Sequence, residues 1–177
     1  MSRRIVRWHS LQPEPWRNGG GQTRQVAVGA GWRVSIADIA SDGPFSAFEG
    51  VDRVIMLIDG PAPQLHVGDR DVQLERFVPF AFDGGAPTAA RRESSATPSR
   101  DLNLMTERAT CTGEISVQPS GVLELRGDVT IAVVADGAAV VDGDELGPLD
   151  SVVCDGGGSI AVTGDATIAV CTVRYCR

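Results

Sequence analysis

The chain contains no lysine: all sixteen basic residues of its 177 are arginine. They form no extended basic run, Ser2-Arg3-Arg4 is too short to act as an arm, and net charge is −7. An acidic chain without a basic patch is not expected to bind nucleic acid or an anionic membrane. Histidine is almost as scarce, with only His9 and His66, far apart in sequence. A three-histidine or two-histidine-one-carboxylate centre cannot be assembled from them, so neither a metal nor another cofactor is expected. No GxSxG elbow and no CxxC pair occurs, which leaves nucleophilic catalysis without a local signature and no residue assigned a catalytic role. The four cysteines all lie beyond residue 110 and are expected to be reduced and mostly buried. The longest apolar run, residues 54–58, is far too short to span a bilayer. The opening MSRRIVRWHSLQPEPW has no apolar core of a secretory signal. These absences together predict a cytoplasmic protein.

What is present is alternation. Trp32, Val34 and Ile36 share one face of an extended segment, and Arg33, Ser35 and Ala37 share the other. Val54, Met56 and Ile58 alternate with Arg53, Ile55 and Leu57, as in a strand buried on both sides. Further strands are predicted at 64–67, 76–82, 114–118, 122–126, 130–135, 138–141, 151–154, 159–163 and 166–175, rich in Val, Ile and Thr. Asp-Gly pairs at 42–43, 59–60, 83–84, 136–137, 142–143 and 155–156 punctuate them as turns. No window keeps a 3.6-residue period, so an all-β sandwich, jelly roll or barrel follows. Residues 84–100 (GGAPTAARRESSATPSR) show no periodicity and read as a long polar loop. That loop divides the chain into lobes of about 12–100 and 101–177.

Several clusters have both a binding and a plain structural reading. Asn18-Gly19-Gly20-Gly21, with Thr23 beyond, either forms a nest of amides for an anion or a simple hairpin. It lacks the GK[ST] of a P-loop and the strand–helix frame of a dinucleotide site. Arg33 and Arg53 sit on strong strands, where an arginine either faces water or turns inward to grip a carboxylate bidentately. Asp42-Gly43-Pro44-Phe45-Ser46 is a fixed turn with Phe45 and Phe48 as anchors. Asp101 and Asn103, two apart in an extended segment, project to one face, to orient an arginine or ligand or merely to cap. His66, in mid-strand, either meets an anion or is structural.

The segments PWRNGGGQTRQV, WRVSIADIASDGPFSAFEGVDRVIMLIDG, FVPFAFDGG and RDLNLM resemble, in that order, the HutD/Ves family. The resemblance implies a bicupin, two packed jelly-roll-like β-barrels in one chain, associated with histidine utilisation. It further implies a governor of that pathway sensing N-formylglutamate or a related carboxylate. Carried over by position, the ligand-binding residues it implies are Asn18, Gly19, Gly20, Gly21, Thr23, Arg33, Ser35, Asp42, Phe45, Arg53, Asp101 and Asn103, with His66 placed near the pocket. Two departures stand out: ARRESSATPSR replaces a short glycine-bearing turn before the DxN motif, and Glu107-Arg108 replaces a basic pair after it.

The resulting expectation is a metal-independent bicupin that binds a small carboxylated metabolite. In that site Arg33 or Arg53 neutralises the carboxylate, and Asp42 with Asp101 and Asn103 orients the arginines. Two alternatives belong to other classes: a metal-free isomerase or hydrolase using His66 with a carboxylate, and a non-catalytic interaction module. Exposed strand edges leave room for a homodimer.

Overall fold

The computed structural model describes residues 2–92 and 97–177. Strands dominate from the first described residue: β1 (Ser2–Val6), a single 3-10 turn (Trp8–Ser10), β2 (Glu14–Pro15), β3 (Gly21–Gly29), β4 (Trp32–Ile39) and β5 (Gly43–Pro44). They continue as β6 (Val51–Asp59), β7 (Gln64–Val67), β8 (Arg70–Gln73), β9 (Phe80–Asp83), β10 (Thr88–Arg91) and β11 (Ser99–Glu107). The chain ends with β12 (Cys111–Leu125), β13 (Val129–Val141), β14 (Asp144–Leu146), β15 (Ser151–Asp155) and β16 (Gly158–Tyr175). No helix among the described residues is long and apolar enough to cross a membrane.

Three sheets result, with orders β2-β3-β4-β11-β6-β9, β5-β10-β7-β8 and β1-β15-β13-β16-β12, the last carrying β14 on β13. Each order is an open path; the lobes are packed sheets and not closed hydrogen-bonded barrels. The alternation read from the sequence explains the layering. One face of the first sheet (Val34, Ile36, Met56, Ile58, Leu102, Leu104) packs on Ile131, Val133, Ala169, Cys171 and Val173 of the third. Its opposite face sets Ile39, Ile55 and Leu57 against Leu65, Val67 and Ala90 of the small sheet. A separate apolar cluster, including Leu123, Val134, Val152, Ile160 and Val170, fills the C-terminal lobe.

Several expectations are corrected. The 84–100 segment is not one loop: β10 lies within it and β11 begins at Ser99, while residues 93–96 fall outside the described residues. β10 is held by burial of Thr88 and Ala90 and by its ladder with β7, and such small side chains give little sequence signal. The lobes do not divide at 100/101 either. β11 lies between β4 and β6 in the first sheet, and β1 crosses to pair with β15 in the third. Three predicted pairs of strands are single long strands (β12, β13, β16), their breaks being bulges at 119/121 and 134/136. Gly137 and Gly164, with φ of 76° and 101°, make this possible: a Cβ on Gly137 would stand 2.0 Å from the Asp165 carbonyl. The strand predicted at 76–82 begins only at Phe80, because Phe77 adopts φ 65°. All four cysteines are free, with Cys176 exposed and the other three buried.

Candidate ligand-binding site

The concave face of the first sheet is built of cross-strand rows. Met105 on β11 stands between Arg33 on β4 and Arg53 on β6, with Phe82 beyond Arg53 on β9. The next row is Ser35, Asn103 and Ile55, and the next is Ala37, Asp101 and Leu57. Rows are two residues, about 7 Å, apart. This face turns toward the small sheet, and the space left open at one end is a cavity of about 440 Å³.

Thr23, Arg33, Ser35, Phe45, Arg53, Asn103 and Asn18 all line that cavity. Arg53 is buried and donates from Nη2 to Asn103 Oδ1 at 3.1 Å. Asn103 is in turn oriented by donation from Nδ2 to the Asp101 carbonyl at 3.4 Å. The Arg53 guanidinium lies 5.0 Å from the Phe82 ring, 5.3 Å from Phe45 and 5.8 Å from Phe48, so aromatic faces cushion its charge. Arg33 packs 5.6 Å from the Phe48 ring and points Nη2 at Met105 Sδ, 3.0 Å away. Neither guanidinium has a carboxylate partner among the described residues, and each buried Nε lacks an acceptor. Burial, and then the like charge of Arg33, pulls the Arg53 pKa down to about 10, and it remains a cation at neutral pH.

The mouth is shaped by two loops. Trp16 donates from Nε1 to Thr23 Oγ1 at 2.8 Å and meets Phe45 edge-on, with ring centroids 5.9 Å apart. Asn18 reaches the Pro44 carbonyl from Nδ2 at 3.4 Å, tying the loop before β3 to the turn after β4. Trp16, Ile55 and Met105 also line the cavity and were missed from sequence, and Phe48, expected only as an anchor of the 42–46 turn, lines it too. Met105 had a signal: it lies two residues past Asn103, hence on the same face of β11.

Five other expected residues lie elsewhere. Gly19, Gly20 and Gly21 are not on the cavity wall. The amides of Gly19 and Gly20 are spent on the Trp16 carbonyl (3.0 Å) and Asn18 Oδ1 (2.9 Å), and Gly21 pairs with Ile39. They form a hairpin, not a nest, and a Cβ on Gly21 would stand 2.3 Å from the Asp38 carbonyl. Asp42 is exposed and accepts the Arg92 amide at 2.8 Å, so it orients neither cavity arginine. His66 is exposed on the outer face of β7, 2.8 Å from Asp71 Oδ1, because Leu65 and Val67 take the inward positions.

Asp101 shares the cavity face of β11 but lies beneath the wall, fully buried with both carboxyl oxygens unpartnered. Desolvation, and then the negative charge of Asp38, pushes its pKa up to about 8. It is therefore a neutral acid at pH 7 and does not clamp an arginine; only Asn103 does. Asp38 behaves oppositely. Burial alone would raise it, but hydrogen bonds from Arg100 and Gln22 and the charges of Arg100 and Arg24 hold it below the usual range. Among the described residues, no three His, Cys, Asp or Glu side chains cluster closely enough to hold a metal ion.

Comparison with known proteins agrees with this architecture. A family model described as HutD matches residues 8–172. Protein Ves of Citrobacter koseri is 40% identical over 109 residues, which are 58% of this chain and 56% of that protein. The chain thus spans about half the length of the curated relatives it matches. HutD from Pseudomonas fluorescens SBW25, solved in a formate condition, superposes with a TM-score of 0.85 at 29% identity, covering 99% of this chain and 100% of that one. A cupin 2 conserved barrel domain protein from Leptotrichia buccalis has a TM-score of 0.61 at 10% identity, over 97% of this chain and 96% of that one. At such identity the likeness concerns fold alone, which is that of the cupins.

Proposed function

The chain belongs to the HutD family, and from that premise we propose that its N-terminal cavity binds a small carboxylated metabolite without a metal, as a sensor in histidine utilisation. One observation carries this reading: Arg33 and Arg53 face a part-enclosed space, which Arg17 also lines, with no carboxylate partner among the described residues to balance them. Uncompensated buried charge is costly, and an anion between the two arginines offsets it through charge-assisted hydrogen bonds. The Arg33 and Arg53 side chains on the wall give a carboxylate charge-assisted donors, and Ser35 adds a hydroxyl on the next row. The apolar remainder of the wall, with few convergent polar groups, has the make-up of a small-molecule site. His66, the base required by the enzymatic alternative, stands exposed outside the cavity, which leaves that alternative without its residue.

A thermal-shift panel of formate, glutamate, urocanate and N-formylglutamate, on wild type and Arg53→Gln, tests the proposal. A ligand at 100 times its Kd adds about 2.7 kcal/mol, or roughly 2–4 °C at this size. The expected result is a rise with one carboxylate, unaffected by chelator and lost in the variant, whose fold circular dichroism verifies. An equal rise in Arg53→Gln contradicts the assignment.

A further inference from the structure

A second cavity, of about 280 Å³, adjoins the first and shares Arg33, Phe48 and Met105 with it. It continues the same concave face: the row beyond Arg33, Met105 and Arg53 sets Glu107 opposite Val51, about 7 Å farther along the strands. The side chains common to both chambers are weakly tethered. Arg33 meets Met105 through a sulfur, a poor acceptor, and Met105 is unbranched and adaptable.

The second chamber differs in chemistry from the first. Val28 and Val51 present aliphatic surface, and besides the shared Arg33 the charged or amide side chains are Gln25 and Glu107. Val28 is 56% exposed, one of the few large apolar side chains of this protein so open to water. An unpaired cation pair next to a wet apolar inlet is complementary to an amphiphile. We infer that the two chambers form one site for an elongated amphiphilic carboxylate. Its head lies between Arg33 and Arg53, and its apolar chain or ring passes Met105 to cover Val28 and Val51. This rests on the carboxylate reading above and adds the ligand's length and its apolar tail.

Titration calorimetry with formate, acetate, butanoate, hexanoate and octanoate tests it, on wild type, Val28→Trp and Val51→Phe. Each methylene buried beyond Met105 is expected to tighten binding about fourfold. Either substitution fills the inlet and is expected to collapse the hexanoate-to-acetate affinity ratio. Two variants at opposite walls guard against one that fails to fold. If the acids bind with no gain along the series, or if both folded variants keep the wild-type ratio, the tail chamber is overturned and the carboxylate head stands. If no acid binds at all, the carboxylate reading falls and the inference with it.

Discussion

The two lobes spend their interiors differently. The C-terminal interior is filled with aliphatic side chains such as Leu125, Val134, Ile160 and Val170. Thr130 and Thr172, opposite each other in β13 and β16 and on that same face by alternation, are buried without charge. The N-terminal interior is aliphatic only where it meets the small sheet; toward its mouth it holds Arg53, Asn103 and Ser35, with the neutral Asp101 beneath. One fold thus serves as a sealed core in one half and a charged cavity in the other. The difference lies in which residues alternate inward on the central strands. Charge is tolerated in the N-terminal lobe because rings, Asn103 and an open mouth surround it.

Putting a charge into the sealed lobe breaks this comparison most violently. Val170→Asp, buried opposite Ala132, is expected to cost more than about 4 kcal/mol, read by chemical denaturation, or to prevent soluble folding. A loss below about 1 kcal/mol would mean that the two interiors are not the different environments described.

A pH-dependent effect is expected from Asp101. The folded chain keeps this proton until about pH 8, whereas an unperturbed aspartate releases it near 3.8. Across that window the unfolded state binds fewer protons, so stability falls as pH rises. Asp101→Asn is therefore expected to melt above wild type at pH 8, the gap closing by pH 4. Parallel melting curves across the range would place the carboxyl in a wetter site than the structure gives it.

The smallest effect sharpens the boundary of the site. His66→Ala, on the outer face of β7, is expected to change stability by no more than about 0.5 kcal/mol and to leave the thermal response to carboxylates as in wild type. A lost response would bring His66 back into the site.

Legibility in the sequence followed side-chain size. β4 and β6, where large β-branched or aliphatic residues alternate, were readable to within a residue or two of their ends. β10 (Thr-Ala-Ala-Arg) and β1 (Ser-Arg-Arg-Ile-Val) were not, because tertiary pairing with β7 and β15 makes them strands. Glycines misled twice. At Gly137 a bulge looked like a turn, and at Gly19 to Gly21 a hairpin looked like an anion nest. Within the site, the inward face of β4 could be read from Arg33 and Ser35. Spacing could not show that Asp101 lies below the wall while Asn103 lies on it, since both share one face of β11.

The central claim is that Arg33 and Arg53 receive a carboxylate together. The most direct measurement follows their side-chain Nε–H resonances by NMR while acetate is added, assigning each by its Arg→Gln variant. The account predicts that both signals move with one shared binding isotherm, because both side chains line the cavity and neither has a carboxylate partner among the described residues. Signals that stay fixed at saturating acetate, or that move with separate isotherms, would contradict it.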